Sequence, residues 1–213
     1  MKSSIFFRPR VGKYYEVKGI NGLKILILGE SHYCKEGCEV CGINSNRNCS
    51  TFTNDVMVKY FNYLSSTEDH DGWMRTFTRF TNIFFGERLD AEAIMKFWDS
   101  VVFYNYVQSC TTESRTFPTD QQFEESKEAF IEVVNSVKPD LIIVWGDRLW
   151  KKLPSNGSWG DGMLGAKYER LYYFPICERE IPAYCIYHPS TSYFTYEYSK
   201  YFSEVLRIVK KPC

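Results

Sequence analysis

Four short stretches of the chain are apolar at consecutive positions instead of alternating. Residues 24–28 (KILIL), bounded by Gly22 and Gly29, are one. A strand with no polar face has to be covered on both sides, which predicts a buried parallel strand. Residues 101–106 (VVFYNY), 140–145 (DLIIVW) and 183–187 (AYCIY) read the same way. Between them the period changes. Residues 54–64 and 73–85 carry apolar side chains at helical spacing, 90–98 follows after a turn, and 120–137 is the longest helical pattern, stopped by Pro139. A last helix is expected over 196–209, with Tyr201, Val205 and Ile208 facing inward. Strands alternating with helices predict an α/β fold: a three-layer α/β/α arrangement around a central, mostly parallel four-stranded sheet.

In such sheets ligands bind beyond the carboxyl ends of the strands. That rule selects four loops: residues 29–33 (GESHY), 105–108, 146–147 and 188–192 (HPSTS). Two of the three histidines, His32 and His188, fall in them, and His70 lies in a polar surface loop. A chain of 213 residues is long enough for one sizeable core, so a single domain over 1–213 is expected. The 26 basic and 26 acidic side chains balance. Any nucleic-acid contact must then come from a local basic surface. Arg8, Arg10, Lys13, Arg148, Lys151 and Lys152 are the candidates for phosphate, with a solvated surface as the plainer reading. The amino terminus lacks the pattern of a signal peptide and no apolar run is long enough to span a membrane. A cytoplasmic monomer with no membrane partner is expected.

Four of the eight cysteines are clustered as C-x3-C-x2-C-x7-C, at Cys34, Cys38, Cys41 and Cys49. In a cytosolic chain this spacing points to metal more than to disulfides. Gly37 and Gly42 permit the tight turns that a tetrahedral thiolate site needs, so 34–49 reads as a metal-binding insertion holding structural zinc. A 4Fe-4S cluster is the alternative. The first three spacings also occur in radical S-adenosylmethionine enzymes, a further reading that the short chain and the fourth cysteine disfavour. Cys110, Cys177, Cys185 and Cys213 are scattered.

The order of a strand ending in a Gly-acidic loop, an Asn closing a middle strand, residues 139–147 (PDLIIVWGD) and a late strand ending in Tyr187-His188-Pro189-Ser190 resembles the uracil-DNA glycosylase superfamily. The resemblance covers the chain from about Lys24 onward. It implies an enzyme that flips a uracil or altered base out of DNA and hydrolyses the N-glycosidic bond. By resemblance His188 donates to the base oxygen, while Pro189 and Ser190 hold the loop against the DNA backbone. Asn105 would read the base edge, Phe52 would stack on the base, and Gly29 and Ser31 would line the pocket. Glu30, with His32 assisting, would position water or stabilise the cationic sugar. Tyr193 or Phe194 would fill the gap left by the flipped base.

The first loop departs from the family pattern, with Ser31 where some branches have a water-activating Asp and His32 where Pro is usual. The residues also admit plainer readings. His188 could cap a strand end, Asn105 could bond neighbouring backbone, Glu30 could pair with an arginine, and Tyr193 and Phe194 could be core. A catalytically inactive module binding nucleic acid or a nucleotide is the alternative function.

Overall fold

The computed structural model describes residues 3–34, 49–111, 116–161, 164, 170–176 and 178–210. Among them the strands are β1 (Arg10–Val11), β2 (Ile25–Gly29), β3 (His32–Tyr33), β4 (Val102–Asn105), β5 (Cys110–Thr111), β6 (Leu141–Trp145), β7 (Ser158–Trp159), β8 (Tyr172–Ile176) and β9 (Arg179–Ile186). The helices are α1 (Phe52–Leu64), α2 (Met74–Phe85), α3 (Ala91–Trp98), α4 (Asp120–Glu125), α5 (Lys127–Val137), α6 (Asp147–Trp150) and α7 (Tyr198–Lys210). None is long and apolar enough to cross a membrane.

The main sheet runs β1-β4-β2-β6-β9-β8-β7. Its centre, β4-β2-β6-β9, is parallel throughout and consists of the four strands expected from their two-sided apolar runs. The sheet is larger than four strands because β1 pairs antiparallel with β4 at one edge, and β8 and β7 add antiparallel pairs at the other. The protein is thus mixed α/β, with a seven-stranded, mixed sheet among the described residues. β3 and β5 form a separate parallel ladder continuing beyond β2 and β4.

Successive residues of the central strands enter different cores. Ile25, Ile27, Phe103, Ile143, Trp145 and Tyr184 join one buried cluster with side chains of α1, α2, α3 and α7. Leu26, Leu28, Tyr104, Ile142, Val144 and Ala183 join another with α4, α5 and α6. This two-sided burial is what the absence of alternation encoded.

The helical pattern at 120–137 is two helices. Ser126 Oγ donates to the Gln122 carbonyl at 2.6 Å and accepts from the Gln108 backbone N–H at 3.0 Å, interrupting the helix where it anchors the chain beyond β4. In α7, Tyr198, Phe202 and Val205 are buried, whereas Tyr201 and Ile208 are only partly so.

Candidate functional site

β2 and β6 are neighbours whose chains leave in opposite directions. β2 leads toward α1 on one face of the sheet, and β6 leads directly into α6 on the other. Where the connections of neighbouring parallel strands diverge in this way, the crevice beyond their carboxyl ends is the usual place for a ligand. The loop after β2 is tied to the chain after β4 by backbone pairing: the N–H groups of Tyr106 and Val107 donate to the carbonyls of Gly29 and Glu30, each at 2.9 Å.

Across this crevice Glu30 meets Arg148 in the first turn of α6. Arg148 Nε donates to Glu30 Oε2 at 2.6 Å, and one terminal nitrogen donates to Oε1. The Glu30 side chain is 11% exposed and that of Arg148 42%, so the guanidinium roofs the carboxylate. Phe117, exposed at the surface, has its ring centroid 3.8 Å from the Arg148 guanidinium carbon. Burial and the Glu30 carboxylate raise the Tyr33 phenol above its ordinary pKa, with the Arg148 charge partly offsetting them. Ser31 is buried. The arginine-paired reading of Glu30 is therefore the arrangement found.

His188 follows β9, beside β6. Its Nδ1 lies 2.7 Å from Ser190 Oγ and accepts the Ser190 backbone N–H at 3.3 Å. Because a backbone N–H can only donate, Nδ1 carries no proton, and the neutral ring bears its hydrogen on Nε2. The His188 pKa is lowered to about 4, first by burial and then by the Arg148 charge. The loop closes on itself through Thr191, whose N–H and hydroxyl both donate to the His188 carbonyl at 2.9 Å. The imidazole packs edge-on against Trp145, centroids 5.9 Å apart. Gly146, at φ +99°, brings the β6–α6 turn against it: a Cβ there would meet His188 Cβ at 3.5 Å.

His32 and Asn105 form a second, enclosed group. Asn105 Nδ2 donates to His32 Nδ1 at 3.1 Å, and His32 Nε2 lies 2.9 Å from Thr53 Oγ1. The imidazole is flanked edge-to-face by Phe7 and Phe52, each 4.8 Å away, and burial lowers its pKa to about 3. Gln108 holds Phe7 there by accepting the N–H groups of Phe6 and Phe7, both at 2.9 Å. Phe52 thus packs on His32. Asn105 lies over Gly29, its partner in the ladder, with Oδ1 only 2.1 Å from where a Cβ on residue 29 would stand.

The remaining expected residues divide. Phe194 is completely buried and stacks on Phe80, so it is core and not a wedge. Tyr193 is 70% exposed beside Tyr187. Pro189 is buried and Ser190 exposed. Of the basic candidates, Arg10 and Lys13 pair with Asp99, Arg148 with Glu30, Lys151 with Asp147 and Lys152 with Asp120. Cys38 and Cys41 lie outside the described residues. Cys34 and Cys49, at the two ends of that insertion, pack with Phe6, Phe7, Phe52 and Cys110 in one small cluster. Among the described residues no three metal-binding side chains converge. The sequence reading did not single out Trp145, which packs on His188 and directly precedes a strand-end loop, or Phe117, which is distant from all four loops in the sequence and carries no motif. The sequence matches no protein-family model and no curated protein.

Proposed function

We propose that the protein is a glycosylase-like hydrolase that takes an altered base, uracil among them, and cleaves its N-glycosidic bond. His188 carries this reading. It stands at a strand end beside the crevice, its Nδ1 is capped by its own loop, and its neutral ring keeps its one N–H on Nε2, free of that capping bond. Cleavage places negative charge on the departing base and positive charge on the sugar. The Nε2–H would donate to a base oxygen, and the Glu30 carboxylate would face the cationic sugar and the attacking water. Water supplies a hydroxyl to the sugar carbon and a proton to the base, leaving free base and an abasic sugar. The three-layer form of the superfamily, DNA as partner, a cytoplasmic setting and a monomeric state belong to the same proposal. The two cores on either side of the sheet support the first of these.

Cys34, Cys38, Cys41 and Cys49 would hold a structural zinc ion behind the first loop. Cys34 and Cys49 fit, because they pack in one cluster although fourteen residues, 35–48, separate them in the chain. Four thiolates would close the coordination sphere and leave no open position for chemistry, so zinc would rigidify the loop and take no part in hydrolysis. Elemental analysis should find one zinc per chain in a colourless protein; a brown, iron-containing protein would favour the 4Fe-4S alternative.

A specific arrangement favours a second reading, a binding module without hydrolysis. The amide of Asn105 is engaged by His32, and the Glu30 carboxylate is engaged by Arg148. Incubation with single- and double-stranded oligonucleotides carrying uracil or other altered bases, followed by alkali, separates the two. Strand cleavage that is lost in His188→Ala supports hydrolysis. A gel shift without cleavage across the panel supports the binding module, and neither cleavage nor shift overturns both.

A further inference from the structure

We infer that Arg148 is a positioning residue: its guanidinium, backed by the Phe117 ring, fixes the Glu30 carboxylate across the crevice between β2 and β6. The inference rests on the reading of Glu30 as the carboxylate of the site. The three residues come from three separate parts of the chain, the loop after β2, the first turn of α6 and the segment preceding α4. Glu30 and Arg148 meet because β2 and β6 are adjacent, and Phe117 reaches the guanidinium from the segment before α4.

The geometry is specific to arginine. Nε and one terminal nitrogen each take a different oxygen of Glu30, so the carboxylate is held in orientation as well as in place. A lysine in the same position would supply charge without the planar fork. On its other side the guanidinium stacks on Phe117 at 3.8 Å, a contact that restricts the terminal torsions of the arginine. Phe117 is 64% exposed and belongs to none of the buried clusters, so its placement is explained by the guanidinium and not by a core. The contact also places a fixed positive charge where it bears on His188. One side chain therefore links the carboxylate and the imidazole of the site. Neither is adjacent to it in sequence.

The experiment uses the full-length 15N-labelled protein and follows the Arg148 Nε–H resonance, assigned by its loss in Arg148→Lys. In the wild type this proton should exchange with solvent slowly, and Phe117→Leu should speed its exchange by about tenfold while leaving the melting temperature unchanged. Arg148→Lys and Phe117→Leu should each lower kcat for base release by about 10- to 100-fold with KM nearly constant, as misplacement of a reacting group does. An Nε–H that exchanges as fast in the wild type as in a solvent-exposed arginine, or is unmoved by Phe117→Leu, overturns the inference. Full activity in Arg148→Lys overturns it equally. If the wild type releases no base, the proposed hydrolysis fails, and the exchange measurement still decides the placement of Glu30 by Arg148.

Discussion

Holding His188 neutral leaves its ring one N–H, on Nε2, and it also makes the fold sensitive to acid. Its pKa falls from the ordinary 6.5 to about 4 on folding, so between those values the unfolded chain binds the proton that the folded chain refuses. Stability must then rise with pH across that window and be lost as pH drops from about 6.5 toward 4. The loss is on the order of 2 kcal/mol, less than the full shift because the imidazole is not completely enclosed. His188→Gln, which cannot titrate, should make this part of the curve shallower in urea unfolding measured from pH 7 to pH 4, the remaining slope coming from His32, whose pKa burial lowers to about 3. An unchanged slope would show that the ring is not held as described. Residue 29 allows a second test at this scale. Gly29→Ala would put a Cβ 2.1 Å from Asn105 Oδ1, forcing the amide off its bond to His32. A cost of about 1–3 kcal/mol is expected, as for overpacking elsewhere, together with a shifted His32 ring resonance.

At the scale of elements, how legible each one was depended on what covers it. The four parallel strands could be read because burial on both faces leaves continuous apolar runs. β8 lies in an apolar run as well, residues 171–176 (LYYFPI), but Pro175 argues against a strand there; its faces alternate between buried and open, and it exists as a hairpin partner of β9. β1, β3, β5 and β7 are two residues long and are set by their neighbours. α4 starts where Thr119 and Gln122 form a capping box, a signal present in the sequence. The break at Ser126 could not be read, since it depends on Gln108, eighteen positions away. Thr119→Ala should lower stability by about 1 kcal/mol. The paired aromatics after the last strand separate by the same logic of cover. Phe194→Ala should cost about 3–5 kcal/mol because it empties a core site. Tyr193→Ala should cost less than about 0.5 kcal/mol. Equal losses in thermal unfolding would refute the assignment of Phe194 to the core and Tyr193 to the surface.

The whole molecule brings together residues whose types the sequence named and whose partners it hid. Glu30 and Arg148 are 118 positions apart, and only the order of strands makes them neighbours. The same pairing governs how the protein can meet a polyanion. Basic and acidic residues balance, and five of the six basic side chains considered for phosphate contact already face a carboxylate. The exposed pairs among them, Lys151 with Asp147 and Lys152 with Asp120, contribute little to stability, and their consequence here is for association. A cation that keeps its carboxylate partner displaces few counterions from a strand. Each phosphate it does neutralise adds about 0.7 to the salt slope of binding for single strands and about 0.9 for duplex. Binding of an oligonucleotide should therefore show a slope of magnitude below about 2, measured by anisotropy from 50 to 200 mM salt. The remaining affinity must come from contacts that salt does not screen, such as stacking on Tyr193, which is 70% exposed. Tyr193→Ala should then weaken binding by about the same factor at low and high salt. A steep slope that Lys151→Ala or Lys152→Ala flattens would mean instead that the surface pairs open to grip phosphate.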